Sequence, residues 1–185
     1  MIQDIFPHVY HNAFQKCEAQ PQDMLLAYRG NAVLSAPEEF RLPRCGDLPD
    51  MPVRYAFSID DTRYFLAKKA PEEQTAWRLL PSVEYRYALP RETAFACAVG
   101  ETLHRWYCSN RFCGACGAEM ADSAAERALC CPKCGAVVYP RINPAVIVAV
   151  TDGEKLLLTK YAGRSCRRFA LVAGFCEIGE RVEDT

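Results

Sequence analysis

The chain has 185 residues, half of them hydrophobic and about a quarter charged, the composition of a soluble globular protein with room for one ordinary domain or two small ones. Its 22 basic and 23 acidic residues leave a net charge of -1, which argues against a dedicated DNA binder or anionic-membrane binder and leaves open only a local patch. The start, Met1-Ile2-Gln3-Asp4, lacks the basic and apolar regions of a secretory signal. The longest apolar stretch, Pro144 to Val150, is far short of the roughly 20 residues a membrane helix needs. A cytoplasmic protein with no membrane partner is expected, and there eleven cysteines read as metal ligands and buried thiols rather than disulfides.

Residues 1–90 read as a β-rich domain. Met24 to Leu34 places apolar residues around Arg29-Gly30-Asn31, and a Gly-Asn pair is hairpin turn chemistry. Arg54 to Ala67 repeats the design, with Tyr55, Phe57 and Ile59 expected on one face, a turn at Asp60-Asp61, then Tyr64 and Leu66. Prolines at 43, 49, 52, 71 and 81 punctuate the runs. The reading is a small antiparallel sheet, a scaffold or dimerisation piece without chemistry of its own.

Pro90-Arg91-Glu92-Thr93 opens a linking helix over 91–110. Phe95, Val99, Leu103, Trp106 and Tyr107 form one apolar face of 3.6-residue period. Gly100 weakens that helix without breaking it, and His104 reads as an ordinary, partly exposed residue.

Residues 111–140 form a ribbon pattern. Cys113-Gly-Ala-Cys116-Gly117 and Cys131-Pro-Lys-Cys134-Gly135 are two Cys-x-x-Cys-Gly knuckles with fourteen residues between them. A two-residue turn aims both thiolates of a knuckle at one ion, zinc takes four soft ligands in a tetrahedron, and each trailing glycine suits positive φ. Cys113, Cys116, Cys131 and Cys134 are the expected zinc ligands, with reduced free thiols as the alternative. Cys130 breaks the matched spacing. Cys17, Cys45, Cys97, Cys108, Cys166 and Cys176 have no paired spacing and read as buried or incidental thiols. Four thiolates leave no open position for water, so this metal holds the fold and does no chemistry. From Cys108 to Pro140 three basic residues (Arg111, Arg127, Lys133) meet three acidic ones (Glu119, Asp122, Glu126). The ribbon therefore has no surplus charge for phosphate.

Residues 141–185 change pattern again. Pro144 to Val150 is a continuous apolar run, Thr151 to Glu154 a turn, Lys155 to Lys160 a returning strand, and Phe169 to Phe175 a further one. Such runs predict strands buried on both faces, under covering helices.

Gly174-Phe175-Cys176-Glu177-Ile178-Gly179-Glu180 fits the opening Gly-x5-Glu of the Nudix box. With the ribbon, Tyr139-Pro140-Arg141 and the strand Ala145 to Val150, the chain resembles the N-terminal part of the zinc-ribbon NAD(H) diphosphatases of the Nudix superfamily, firmly from about Phe112 to Glu180 and loosely before that. The resemblance implies an α+β chain: a β-rich N-terminal domain, the ribbon, then the first strands of a truncated Nudix α/β/α sandwich. It implies a homodimer that hydrolyses NAD(H) to AMP and nicotinamide mononucleotide, with NAD-capped RNA as a further substrate and Mg2+ or Mn2+ offsetting the diphosphate charge. Ala173 would offer its main-chain carbonyl to such an ion. Tyr139 and Phe175 would flank a base, or else be core aromatics. Glu126 would contact substrate, or else be a solvated acid, and Glu180 would shape the loop.

The family's next box residues, an Arg-Glu pair, would begin at position 188, past Thr185, so the box-helix carboxylates are absent from these residues. They are therefore expected not to turn over, and to be oligomeric through the C-terminal segment or poorly ordered there. The rival reading is a non-catalytic zinc-ribbon module that binds protein or RNA. Gly174 and Glu180 discriminate, since a binding module has no need of half a Nudix box.

Overall fold

The computed structural model describes residues 3–85, 87–88, 90–163 and 168–185; Cys166 and the opening Met1-Ile2 lie outside them. The chain forms two compact units, Met1–Pro140 and Arg141–Thr185.

In the first unit β1 (Tyr10–His11), β5 (Val53–Ile59), β6 (Thr62–Ala67) and β2 (Met24–Leu26) form one sheet in the order β1-β5-β6-β2. A second sheet joins β3 (Tyr28–Arg29), β4 (Ala32–Ser35) and β7 (Arg78–Pro81). Gly30-Asn31 turns β3 into β4 as expected, with Gly30 at φ +62. The hairpin is shorter than the apolar run, however. Met24–Leu26 leaves it to pair in parallel with β6, so the sheet is mixed and not purely antiparallel. The reason is that this segment feeds two cores. Leu25 and Ala27 pack with Leu34 and Trp77, whereas Leu26 and Tyr28 pack with Phe57 and Leu66, as alternating side chains of a fully apolar strand must.

The β5–β6 hairpin turns at Asp60, whose φ is +50. A β-bulge separates Tyr55 from Phe57, setting Tyr55 against Phe65 and Phe57 against Tyr64. The extra residue shifts the side-chain alternation, so Tyr55 points to the face opposite Phe57 and Ile59. The single face expected for all three does not form.

After the short helix α1 (Ser82–Tyr85), helix α2 runs Arg91–Ser109 with Pro90 at its N-cap. Leu103 and Trp106 of the expected stripe are buried, but the contact centres on Ala96, Cys97, Gly100 and Glu101. Gly100 sets this offset. A Cβ there would stand 2.6 Å from Tyr28 Oη and 2.8 Å from Leu26 Cδ1. The helix approaches the sheet on its smallest residues. Within the contact the Tyr28 hydroxyl donates to the Cys97 carbonyl at 2.7 Å. The buried Glu101 accepts from the Tyr85 hydroxyl and the Arg105 guanidinium, which offsets the penalty of burying its charge.

In the second unit β11 (Ala145–Val148) pairs antiparallel with β14 (Val172–Phe175), and β12 (Thr151–Asp152) forms a hairpin with β13 (Lys155–Leu156). The strands lie where the apolar runs predict but are shorter. Beyond β13 the Leu157 N–H still bonds the Val150 carbonyl, and among the described residues an isolated Thr159–Ala170 bridge follows. The expected burial on both faces is not found. Ile147 is 69% exposed and Phe175 71%. An apolar strand is buried only where a covering layer exists, and the described residues of this unit include no helix. No described helix is long and apolar enough to cross a membrane.

Candidate functional site

The ribbon is a three-stranded antiparallel sheet, β8 (Ala121–Asp122), β9 (Leu129–Cys130) and β10 (Val137–Val138), in the order β10-β9-β8. Its two knuckles repeat one hydrogen-bond pattern. Gly117 N–H donates to the Cys113 carbonyl at 2.9 Å and Cys113 N–H to the Ala118 carbonyl at 2.8 Å. Gly135 N–H donates to Cys131 at 3.0 Å and Cys131 N–H to Ala136 at 2.8 Å. Both closing glycines sit at positive φ, +73 and +76, where a Cβ would strain the turn.

These turns bring the thiols of Cys113, Cys116, Cys131 and Cys134 within 4.8 Å of one another, a group that could hold a metal ion. Cys113 Sγ lies 3.6 Å from Cys134 Sγ and Cys116 Sγ 3.4 Å from Cys131 Sγ. A tetrahedron with zinc–sulfur bonds of about 2.3 Å has edges of about 3.8 Å, so the cluster needs little adjustment to close on zinc. The knuckle amides lower the thiol pKa at every one of the four positions, but at Cys116 and Cys134 the hydrogen bonds with neighbouring thiols outweigh them and raise it. The N–H groups of Ala115 and Cys116 draw the Cys113 thiol below its ordinary pKa. Those of Cys134 and Lys133 draw Cys131 down to about 6. Cys130 stands in β9, outside the four-thiol group.

The ribbon is fastened to the β-sheet by charged groups that local spacing does not reveal. Arg127 donates to Asn12 Oδ1 at 2.5 Å and to the Ala56 carbonyl on β5. Asp122 accepts from Arg54 at 2.6 Å and from Lys68 at 2.9 Å, and the Arg54 guanidinium lies 3.7 Å from the centre of the Tyr107 ring. Two of the six charges that balance along the ribbon sequence, Asp122 and Arg127, thus have partners far away in the chain.

Of the other expected site residues, Tyr139 and Glu126 are brought together at the end of the ribbon. The half-exposed Tyr139 donates its hydroxyl to Glu126 Oε1 at 2.8 Å, and that bond raises the phenol's pKa. His104 is half-buried against the Tyr28 ring, its Nε2 3.6 Å from Cys108 Sγ, and burial lowers its pKa. Cys97 is fully buried, whereas Cys108 is exposed and Cys17, Cys45 and Cys176 are intermediate.

In the second unit Gly174 pairs with Val146 and Ala173 with Ile147. Cys176 N–H donates to the Pro144 carbonyl at 2.9 Å. Bonded pairs alternate along an antiparallel ladder, so Ala173 belongs to a non-bonded pair and its carbonyl points away from β11. The Glu180 carboxylate accepts the Glu177 N–H at 2.9 Å, the main reason that its pKa lies below the usual carboxylate value. It closes the turn in which Gly179 takes φ +85.

Residues 109–139 match the family described as the NADH pyrophosphatase zinc ribbon domain. The chain is 45% identical over 78 residues to the NAD-capped RNA hydrolase NudC of Stutzerimonas stutzeri, covering 42% of this chain and 28% of that protein. It is 37% identical over 114 residues to the protein of that name from Chromobacterium violaceum, covering 62% and 42%. With the Pseudomonas fluorescens protein it shares 33% over 121 residues, covering 64% and 42%. The chain thus spans less than half the length of the relatives it matches.

Proposed function

On the premise that this chain is a partial zinc-ribbon protein of the NudC type in the Nudix superfamily, we propose that the protein containing it hydrolyses the diphosphate of NAD(H) to AMP and nicotinamide mononucleotide, and does the same to NAD caps on RNA. The observation that carries this reading is the 45% identity over 78 residues to a NAD-capped RNA hydrolase. The ribbon, with zinc on Cys113, Cys116, Cys131 and Cys134, serves as scaffold. Residues 1–90, 91–110, 111–140 and 141–185 act as sheet domain, linking helix, ribbon and opening of the Nudix domain, in a cytoplasmic homodimer.

Two adjacent phosphates repel an attacking water, and a divalent ion lowers that barrier by neutralising their charge and activating the nucleophile. Mg2+ and Mn2+ take oxygen ligands. The Ala173 carbonyl, directed away from its strand partner, would supply one, and Glu180 would shape the loop that follows. The carboxylates that complete such a site in the family follow position 188 in its spacing. The 185 residues alone therefore bind substrate at best weakly and do not turn over. Tyr139 and Phe175 supply flat faces for a base, and Glu126 orients Tyr139.

The test is release of AMP from NADH by the full-length protein with Mg2+ or Mn2+, abolished by EDTA. A metal-replete full-length protein inert on NADH and on other dinucleotides and nucleoside diphosphates would overturn the reading in favour of a binding module. Turnover by the 185 residues alone would show the active site to be elsewhere.

A further inference from the structure

A cleft of about 680 Å³ opens in the first unit between the β-sheet, helix α2 and the ribbon. Five cationic side chains line it, Arg29, Arg54, Lys68, Lys69 and Arg111, against the two carboxylates of Glu119 and Asp122. This surplus of positive charge stands on a chain whose net charge is -1. The carboxylates do not neutralise it. Asp122 is divided between Arg54 and Lys68, and Glu119 is 3.4 Å from Arg111. Arg29 bonds the uncharged Pro71 carbonyl, and Lys69 is exposed with no ion-pair partner among the described residues. Like charges gathered in one concavity repel one another and raise the local concentration of anions.

A second cleft, of about 310 Å³, shares Arg54, Lys68, Tyr107 and Asp122 with the first and is lined also by Lys16 and Glu126. Glu126 is the residue that holds the Tyr139 hydroxyl. The two clefts adjoin at Arg54 and Lys68, so cations line both, from Arg29 and Lys69 in the first to Lys16 in the second. A compact anion calls for donors that converge. Cations spread over two adjoining clefts suit successive phosphates of a flexible strand.

We propose that this basic cleft binds the phosphodiester backbone of single-stranded RNA, the part of a capped transcript beyond its dinucleotide cap. The inference rests on the proposed function for the cap and on the cleft for the strand. No segment of the sequence announces it, because its cations come from β3, β5, the residues after β6 and the start of the ribbon, and only the fold collects them.

The test is fluorescence anisotropy of the zinc-loaded chain with a labelled, uncapped single-stranded oligoribonucleotide over a range of salt. Three cations lack a carboxylate of their own: Arg29, Lys69 and one of the Arg54–Lys68 pair. The logarithm of the association constant should then fall with the logarithm of salt with a slope of about −2, at about 0.7 per phosphate contact. Lys69→Ala should flatten the slope by about 0.7 and Arg29→Ala/Lys69→Ala by about 1.4, with unchanged circular dichroism and zinc content. Undetectable binding would overturn the proposal, as would a slope unchanged in the double variant. Displacement of the RNA by equal concentrations of AMP or inorganic phosphate would overturn it too, by assigning the cleft to a free phosphate compound. Hydrolysis of NADH by full-length Lys69→Ala, expected unchanged, is read separately, so failure of this inference and failure of the hydrolase reading are distinguishable.

Discussion

The Tyr28 hydroxyl is held between two residues of one helix, donating to the Cys97 carbonyl at 2.7 Å while standing where a Cβ on Gly100 would come within 2.6 Å. Tyr28 is only 1% exposed, so the ring has nowhere to swing. Gly100→Ala forces overpacking worth about 1–3 kcal/mol, offset by about 1 kcal/mol of improved helix propensity. A net loss of up to about 2 kcal/mol should lower Tm by up to about 8 °C. Removing the hydroxyl in Tyr28→Phe frees that space, so Gly100→Ala should be milder in the Tyr28→Phe background than alone. Thermal melts of the four proteins decide this, and strictly additive effects would show that the hydroxyl is not the obstacle.

Zinc removal should unfasten the ribbon before it harms the sheet. Structural zinc contributes an apparent 10–16 kcal/mol in small ribbon-like domains (about the whole stability of an ordinary domain), and the ribbon's own core includes little beyond Ala128, Leu129 and the cysteines. Cys113→Ser and Cys134→Ser should each take the metal content from about one zinc per chain to near zero. Protease should then cut between residues 113 and 134, while the buried core around Tyr28, Phe57 and Cys97 persists. Retention of zinc by both variants would remove these residues from the ligand set.

How much of this was legible in the sequence depends on the distance between partners. The knuckles are local: Cys113 to Gly117 and Cys131 to Gly135 carry their own turn chemistry, and the positive φ of both glycines follows from it. The Gly30-Asn31 turn is legible for the same reason. Gly100 reads as a mild helix defect until Tyr28 is placed over it. Arg127 reads as one of six balanced charges until it meets Asn12 and the Ala56 carbonyl, on residues 115 and 71 positions away. The bulge at Ala56 that turns Tyr55 from Phe57 has no composition signal, because every residue from Tyr55 to Ile59 is buried and alternation is masked.

The N-terminal segment should show a pH window set by His8 and Asp60. His8 Nδ1 lies 2.7 Å from Asp60 Oδ2, and this bond raises the His8 pKa above 6.5. The Val9 N–H, foremost, and His8 lower the Asp60 pKa below 3.8. A raised histidine contributes below its unfolded value and loses that contribution as pH rises through the folded one. A lowered carboxyl contributes above its unfolded value and loses it as pH falls through the folded one. The contact is therefore complete between about pH 4 and 6.5. In an NMR titration, Asp60→Asn, which tolerates the positive φ, should move the His8 midpoint downward. An unmoved midpoint would remove Asp60 as the cause.

The second unit should make the isolated 185 residues self-associate. Ile147 and Phe175 are 69% and 71% exposed on short strands and Phe169, just before the Ala170 bridge, is 65% exposed, and bare apolar faces with open strand edges recruit partners. Light scattering should give a mass above the monomer, reduced by Ile147→Lys. A monomer with a protease-resistant segment 141–185 would count against this.

Tyr139 separates a ring effect from a hydroxyl effect in the full-length protein. Its hydroxyl is already engaged by Glu126 at 2.8 Å, whereas its ring is half-exposed and open to a flat heterocycle. Stacking on one base is worth about 1–3 kcal/mol by alanine substitution. Tyr139→Ala should therefore raise KM for NADH by roughly five- to a hundredfold with little change in kcat, because a stacked base is held alike in ground and transition states. Tyr139→Phe keeps the face and loses only the tether, so its KM should rise less than that of Tyr139→Ala. Glu126→Gln, which keeps an acceptor for the hydroxyl, should match it. A fall in kcat of Tyr139→Ala equal to its fall in kcat/KM would place the residue in the chemical step instead, and unchanged constants would return Tyr139 to the role of a surface aromatic.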